Sequence, residues 1–242
     1  MTNWYRPYGI THPYYADEAV CIIHADCREV LPLIPAQSID LVLTDPPYGI
    51  DYQSARRTEW QRKDKIQGDK EFPLWVLDIP YNKAMLLFCR WDNLYELPKP
   101  KSLIVWDKQR HSMGDLKHEY GRQWEAIAFY PTDNHEFNNR PKDVISVPCI
   151  PPGALLHPNE KPISLILSLL VANKGDVILD PFLGSGTTAY STKKLGRRCI
   201  GIEIEERYCE IAAKRCSQMV MNLPPIQTQN SELERGLYLT MI

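Results

Sequence analysis

Asp45-Pro46-Pro47-Tyr48 follows the apolar run 39–43 almost without a break. A short buried strand ending there presents one carboxylate, a turn stiffened by two prolines, and one aromatic ring. The prolines remove backbone N–H donors and leave carbonyl acceptors. Such a turn suits a substrate that donates hydrogen bonds, for example an exocyclic amino group. A second cluster lies far downstream, where Val-Ile-Leu-Asp at 177–180 runs into Pro181-Phe182-Leu183-Gly184-Ser185-Gly186-Thr187-Thr188-Ala189. Glycines at 184 and 186 permit a tight turn and close backbone approach to a ligand, and the amides of the helix that opens there face it. The next apolar run ends in Gly201-Ile202-Glu203. An acid roughly twenty residues past such a loop typically grips a ribose diol. Strand, glycine loop, helix, strand and acid in that order predict an adenosine-containing ligand. The spacing Gly184-x-Gly186-x-x-Ala189 also fits a relaxed dinucleotide fingerprint, which keeps NAD and FAD open on this loop alone.

Both clusters need strands to hold them. The pattern predicts strands at 20–24, 39–44, 85–90, 102–107, 125–130, 177–180 and 199–203, and helices at 28–33, 162–173, 187–195 and 205–219. Most of the strands are continuously apolar, as in a sheet covered on both faces. The alternation predicts an α/β fold with a doubly wound, mostly parallel, seven-stranded sheet. If 177–180 is the first strand of the wind, 199–203 is the second, 20–24 the third and 39–44 the fourth. That circularly permuted order sets strands one and four beside the switch point, so the glycine loop and residues 45–48 meet across one crevice. A single domain over 1–221 precedes a tail at 222–242. Two polar segments, 51–73 and 131–160, read as loop inserts at the sheet edge, where function concentrates.

Composition narrows the function classes. The 242 residues are 44% hydrophobic and 24% charged, an ordinary globular balance. No stretch has the apolar length of a membrane span, and the N-terminus lacks an apolar leader core, so a cytoplasmic protein is expected. Seven scattered cysteines with no C-x-x-C pair predict reduced core thiols, with neither a disulfide framework nor a metal site. A net charge of −2 argues mildly against a large nucleic-acid footprint. A local strip can still contact phosphates: Arg56, Arg57, Arg62 and Lys63 cluster with Trp60 just past the Asp-Pro-Pro-Tyr turn, although Glu59 and Asp64 dilute them.

Together these residues resemble the amino-group DNA methyltransferases of the β arrangement, in which the catalytic motif precedes the S-adenosylmethionine motif. Asp45-Pro46-Pro47-Tyr48 resembles the catalytic motif, Asp180 to Thr188 the cofactor loop, and Gly201-Ile202-Glu203-Ile204 the ribose-binding strand end. His24-Ala25-Asp26-Cys27 resembles the segment whose acid contacts the cofactor adenine. His157-Pro158-Asn159-Glu160-Lys161-Pro162 resembles the family's H-P-x-x-K-P element. The resemblance spans about residues 20–217 and implies a bacterial or phage-type enzyme that methylates adenine N6 or cytosine N4. Asp at the first motif position favours adenine. It implies cofactor contacts from Asp26, Cys27, Asp180, Phe182, Gly184, Ser185, Gly186, Thr187, Thr188, Glu203 and Ile204. His157 and Lys161 join them on the cofactor side, or else serve as a helix-entry device ahead of Pro162.

The Asp45 carboxylate and the Pro46 carbonyl are then the acceptors for the two amino N–H groups. Methyl transfer is a direct in-line displacement helped by positioning. The base leaves the duplex stack to reach the site, where Tyr48 is expected to stack on it. Trp106, Asp107, Lys108 and His111 close a strand on the same edge and are candidates for the base pocket or for phosphates. Asn138, Asn139 and Arg140 in the short 131–156 stretch have the chemistry to read base edges, since Asn pairs with adenine and Arg with guanine. A site this lightly equipped suggests a homodimer or an accessory subunit on double-stranded DNA. Three other readings remain: an RNA amino-methyltransferase, an NAD or FAD oxidoreductase built on the glycine loop, and a non-catalytic nucleic-acid-binding subunit with a relic cofactor fold. Pro148-Cys149 superficially matches the Pro-Cys of cytosine-C5 enzymes, but nothing else of that pattern is present, and Cys149 reads as a packing cysteine.

Overall fold

A computed structural model describes residues 3–49, 70–111, 116–118, 120–151, 153–157 and 159–218. In chain order the described elements are β1 (Tyr15–Ala16), β2 (Val20–His24), α1 (Cys27–Val30), β3 (Leu41–Thr44), β4 (Ala84–Cys89), β5 (Ser102–Asp107), β6 (Trp124–Pro131), β7 (Val144–Ser146), α2 (Ile163–Ala172), β8 (Val177–Asp180), α3 (Thr187–Lys194), β9 (Arg198–Glu203) and α4 (Glu206–Ser217). The strands form one nine-stranded sheet in the order β1-β2-β9-β8-β3-β4-β6-β5-β7. The seven expected strands are all present. Two short edge strands, β1 and β7, extend the sheet. Their residues are at most half-buried, so they carry too little apolar pattern to be seen in the sequence.

Alternate side chains along each strand go to opposite faces, and both faces are covered. Leu41, Leu43, Leu86, Phe88 and Ile178 meet Leu165, Ile166, Leu169 and Leu170 of α2. Val20, Ile22 and Cys199 meet Ala189 of α3 and Cys209, Ala212 and Cys216 of α4. On the other face Val42, Met85, Leu87, Leu179 and Ile200 pack with Val30 of α1 and with Trp4, Ile34, Val76 and Ile79. This double cover explains the continuously apolar strands. Six of the seven cysteines are buried and all are free, and burial pushes the Cys21 and Cys89 thiols up to about 12. Among the described residues no helix is long and apolar enough to cross a membrane, and no His/Cys/Asp/Glu group is arranged to hold a metal ion.

The strand order reverses between β8 and β3, which pair in parallel with Leu41 opposite Ile178 and Val42 opposite Leu179. Residues 45 and 180 therefore leave the same edge of the sheet side by side. Thr44 Oγ1 donates to Asp180 Oδ1 at 3.2 Å across that junction, and Phe182 N donates to the same oxygen at 3.1 Å. Burial, only partly offset by these donors and Thr188, raises the Asp180 carboxyl to about 7.

The segment after β6 lies elsewhere. β6 is antiparallel to β4 and delivers Pro131 opposite Ala84, at the amino end of the parallel strands. There Thr132 Oγ1 donates to Asn82 O at 2.6 Å, His135 Nε2 meets Asn173 Oδ1 at 2.7 Å, and Asn138 Nδ2 donates to Val171 O at 2.7 Å. This corrects one expectation. Asn138 is engaged by the C-terminal end of α2, on the edge opposite the Asp45 turn. Base reading by Asn138 is not what the fold supports, while Asn139 and Arg140 next to it are exposed.

Gly186 caps α3 with a left-handed φ of +83°, and a Cβ at that position would stand 2.6 Å from Ala212 Cβ of α4. Gly186→Ala is expected to cost about 2 kcal/mol of stability in a denaturant titration, through the left-handed backbone and the overpacked contact. Asp180→Asn is expected to change the pH dependence of stability. A raised folded-state value means that the Asp180 contribution is fully present below about pH 4 and lost as pH rises through about 7. The urea midpoint of the Asn variant should thus gain on wild type between about pH 5 and about pH 8, and parallel curves would contradict this.

Candidate active site

The turn beyond β3 is braced from below, where Asn93 Nδ2 donates to Tyr48 O at 3.2 Å and Asn93 Oδ1 accepts from Arg90 N at 3.1 Å. Both oxygens of the Asp45 carboxylate are engaged. Tyr48 OH donates to Oδ1 at 2.6 Å, and Lys161 Nζ donates to Oδ2 at 2.6 Å. Glu125 of β6 completes the group: its Oε2 lies 3.3 Å from Lys161 Nζ and 3.4 Å from Tyr48 OH, and its Oε1 pairs with Lys108. Two carboxylates and two ammonium groups thus neutralise one another in a mostly buried cluster. Burial raises the Asp45 carboxyl although Lys161 opposes it. Burial also acts to raise Glu125, but Lys161 and Lys108 together hold it below the usual range. Lys161 is raised, because Asp45 and Glu125 outweigh the cost of its burial.

The glycine loop stands next to this cluster. Gly184 and Gly186 take left-handed φ values of +54° and +83°. Glu203, at the end of β9, accepts from Gly184 N at 2.7 Å and from Glu205 N at 2.8 Å. The His157 ring lies above Gly184, where a Cβ would approach it to 3.6 Å, and packs edge-on against Tyr208 at 4.4 Å. Arg215 of α4 donates to Thr187 Oγ1 at 2.9 Å and pairs with Glu160, whose other oxygen accepts from Leu156 N at 2.7 Å. Glu160 therefore grips the cofactor-loop side while its neighbour Lys161 grips Asp45.

One crevice is lined by Asp45, Pro46, Pro47, His157, Lys161, Asp180, Phe182, Gly184, Ser185, Thr187, Thr188, Glu203 and Ile204, with Leu43, Phe88 and Ile166 as an apolar floor. The sequence expectations meet this geometry unevenly. Gly186 shapes the loop without lining the crevice. Asp26 caps α1 through Arg28 N at 2.9 Å and pairs with Arg28, and Cys27 packs in the core, so neither lines the crevice. Ala25 N nevertheless donates to Glu203 O at 3.1 Å, which keeps that strand end beside the site. Tyr48 does not offer an open ring for stacking: it is buried, with its hydroxyl on Asp45 and the Lys161 ammonium 5.6 Å from its ring centre. Lys161 grips the catalytic turn as well as lining the crevice. Lys108 is committed to Glu125, which corrects its expected role on DNA. Arg56, Arg57, Arg62, Lys63 and Pro158 lie outside the described residues, as does the tail from 222.

Glu125, Glu160, Arg215 and Tyr208 were not anticipated. Glu125 left one trace, as an acid adjoining the apolar run of β6; the other three fall in helix or loop stretches where such residues are ordinary in a sequence, and only packing buries them.

Comparison with known proteins gives the family and the fold. A family model described as DNA methylase, of the N6/N4 methyltransferase type, matches residues 39–214. A type II methyltransferase, M2.LlaDCHI of Lactococcus lactis subsp. cremoris, is 26% identical over 89% of this chain and 97% of its own length. The DNA adenine methyltransferase YhdJ of Escherichia coli K12 is 29% identical over 83% of this chain and 84% of its own. Among solved structures, the M1.HpyAVI–SAM complex superposes with a TM-score of 0.61 at 21% identity, covering 81% of this chain and 99% of that one. The cytosine-N4-specific PvuII DNA methyltransferase gives a TM-score of 0.64 at 15% identity, covering 94% of each chain, so the fold is shared. With the model match covering most of its length, this chain belongs to the DNA methylase family of N6/N4 amino-methyltransferases.

Proposed function

We propose that this protein transfers a methyl group from S-adenosylmethionine to adenine N6 in double-stranded DNA. The observation that carries the reading is the shared crevice of Asp45 and the Gly184–Glu203 site at the strand-order reversal. The crevice fits the cofactor. The left-handed turn at Gly184 brings the loop backbone to the crevice, and Glu203 holds a carboxylate at the strand end that suits a ribose diol. When bound, the cofactor supplies an electrophilic methyl group. Asp45 Oδ1 or Oδ2 and the Pro46 carbonyl accept the two amino N–H bonds and hold the nitrogen in line. Leu43, Phe88 and Ile166 exclude water beneath it. Asp at position 45 and the YhdJ relative favour adenine; cytosine N4 is the second reading, on the same acceptor geometry.

The DNA approaches the carboxyl-end edge of the strands. Trp91 follows β4 and Trp124 opens β6 on that edge, at 47% and 42% exposure, and Tyr95 lies edge-on to Trp91 at 6.1 Å. Exposed Arg110 follows β5 on the same side. Aromatic faces of this kind stack on unpaired bases. Site recognition then falls to this rim and to the basic residues that the sequence places in the 51–73 insert, with a second copy or an accessory subunit adding surface. The bacterial type II methyltransferase relatives support an enzyme of restriction–modification type, and its place of action in this reading is the cytoplasm, where bacterial DNA lies.

Asp45→Ala is expected to abolish methyl transfer while calorimetry shows S-adenosylmethionine binding intact; substantial residual turnover would refute the assignment. Methylome sequencing of cells expressing the protein should show N6-methyladenine at one motif, and N4-methylcytosine there would select the second reading. Trp91→Ala and Tyr95→Ala should each weaken DNA binding by about 1–3 kcal/mol without affecting cofactor affinity, as titration of labelled duplex would show.

A further inference from the structure

The carboxylate that the proposed reaction needs is already occupied. Tyr48 OH and Lys161 Nζ each lie 2.6 Å from an Asp45 oxygen. An arriving amino group brings donors of its own. Whatever it displaces must find another acceptor, because an ammonium without a partner in a buried site is costly. The acceptor is present. Glu125 Oε2 stands 3.3 Å from Lys161 Nζ and 3.4 Å from Tyr48 OH, both long contacts that small side-chain shifts convert into full hydrogen bonds. The carboxylate is itself held in place. β6 lies between β4 and β5, and Lys108 binds the other oxygen of Glu125. Neither the catalytic turn nor the glycine loop contains this residue.

We propose that Glu125 is a positioning residue for methyl transfer: it receives Lys161 or Tyr48, whichever donor the target amino group displaces from Asp45. The inference rests on the reading of Asp45 as the amino acceptor. Lys161 and Tyr48 keep Asp45 hydrogen-bonded before the base arrives, and Glu125 lets the displaced one leave without stranding a buried donor. Losing this acceptor penalises only bases that carry the amino group.

The test uses the full chain, wild type against Glu125→Gln and Glu125→Asp, on duplexes carrying the methylated motif. Each duplex has either adenine or purine, which lacks the amino group, at the target position. A neighbouring 2-aminopurine reports loss of stacking. The adenine duplex should show kcat/KM reduced about tenfold or more in Glu125→Gln, with weaker base capture. Glu125→Asp should recover part of the loss, and S-adenosylmethionine affinity should not change. Capture of the purine duplex should be equal in all three proteins. Wild-type kcat/KM in Glu125→Gln would overturn the proposal, as would equal losses on adenine and purine, which mark a packing role. Should Glu125→Gln fail to fold, Glu125→Asp carries the test, since a carboxylate withdrawn by one methylene lies farther from either donor, and unchanged adenine capture there overturns the proposal. A wild type that methylates no DNA defeats the functional reading itself, and this inference with it.

Discussion

The parallel pairing of β3 with β8 is the constraint on which the rest depends. Leu41 lies opposite Ile178 and Val42 opposite Leu179, so two segments distant in sequence end at the same height. Every feature of the crevice follows from that register. The Asp45 turn and the Asp180 loop emerge side by side, tied by the Thr44–Asp180 hydrogen bond. A slip of one residue would exchange the side chains that β3 packs against α2 with those it packs on the other face, and would separate the turn from the glycine loop. The two-sided hydrophobic cover makes such a slip expensive, and it is this cover that fixes the active-site geometry.

Around that junction the protein keeps charge where burial opposes it. Asp45, Lys161, Glu125 and Lys108 form a balanced set, and removing any one member leaves an uncompensated charge in a largely dry environment. Such clusters are poor sources of net stability compared with apolar packing of the same volume. Their retention at a catalytic turn fits a functional role, since an acid prepared for a hydrogen-bond donor must stay ionised inside the fold. Asp180 lies in a different situation: its donors among the described residues are the neutral Thr44, Thr188 and Phe182 N, and burial raises its carboxyl to about 7. Burial thus acts upward on both acids, and only at Asp45 does an ion pair, with Lys161, oppose it.

Glu160 and Lys161 join the two halves of the site. Glu160 pairs with Arg215, which also holds Thr187 of the glycine loop, while Lys161 holds Asp45. Adjacent residues in the chain thereby link the loop of one strand to the turn of the other. The His157 ring adds a third contact above Gly184. A short segment ahead of α2 thus acts as a bracket across the switch point, a role wider than helix entry or cofactor contact alone.

By itself the sequence determined the parts that repeat locally. Apolar runs marked seven strands, glycines marked the loop, and two prolines marked an acceptor-rich turn, because each of these follows from the backbone chemistry of a few neighbouring residues. Even the meeting of Asp45 with the glycine loop was legible, since the strand order of a doubly wound sheet follows from the order of its strand–helix units. Only the tertiary structure decided the partners of the charged groups. Whether Lys161 faces a cofactor or an aspartate, whether Lys108 reaches DNA or Glu125, and on which edge Asn138 lies all depend on antiparallel β6, which carries Glu125 up to the crevice and Pro131 down to the opposite edge. Long side chains reach several ångströms in any direction, so their partners are set by packing across the sheet rather than by spacing along the chain.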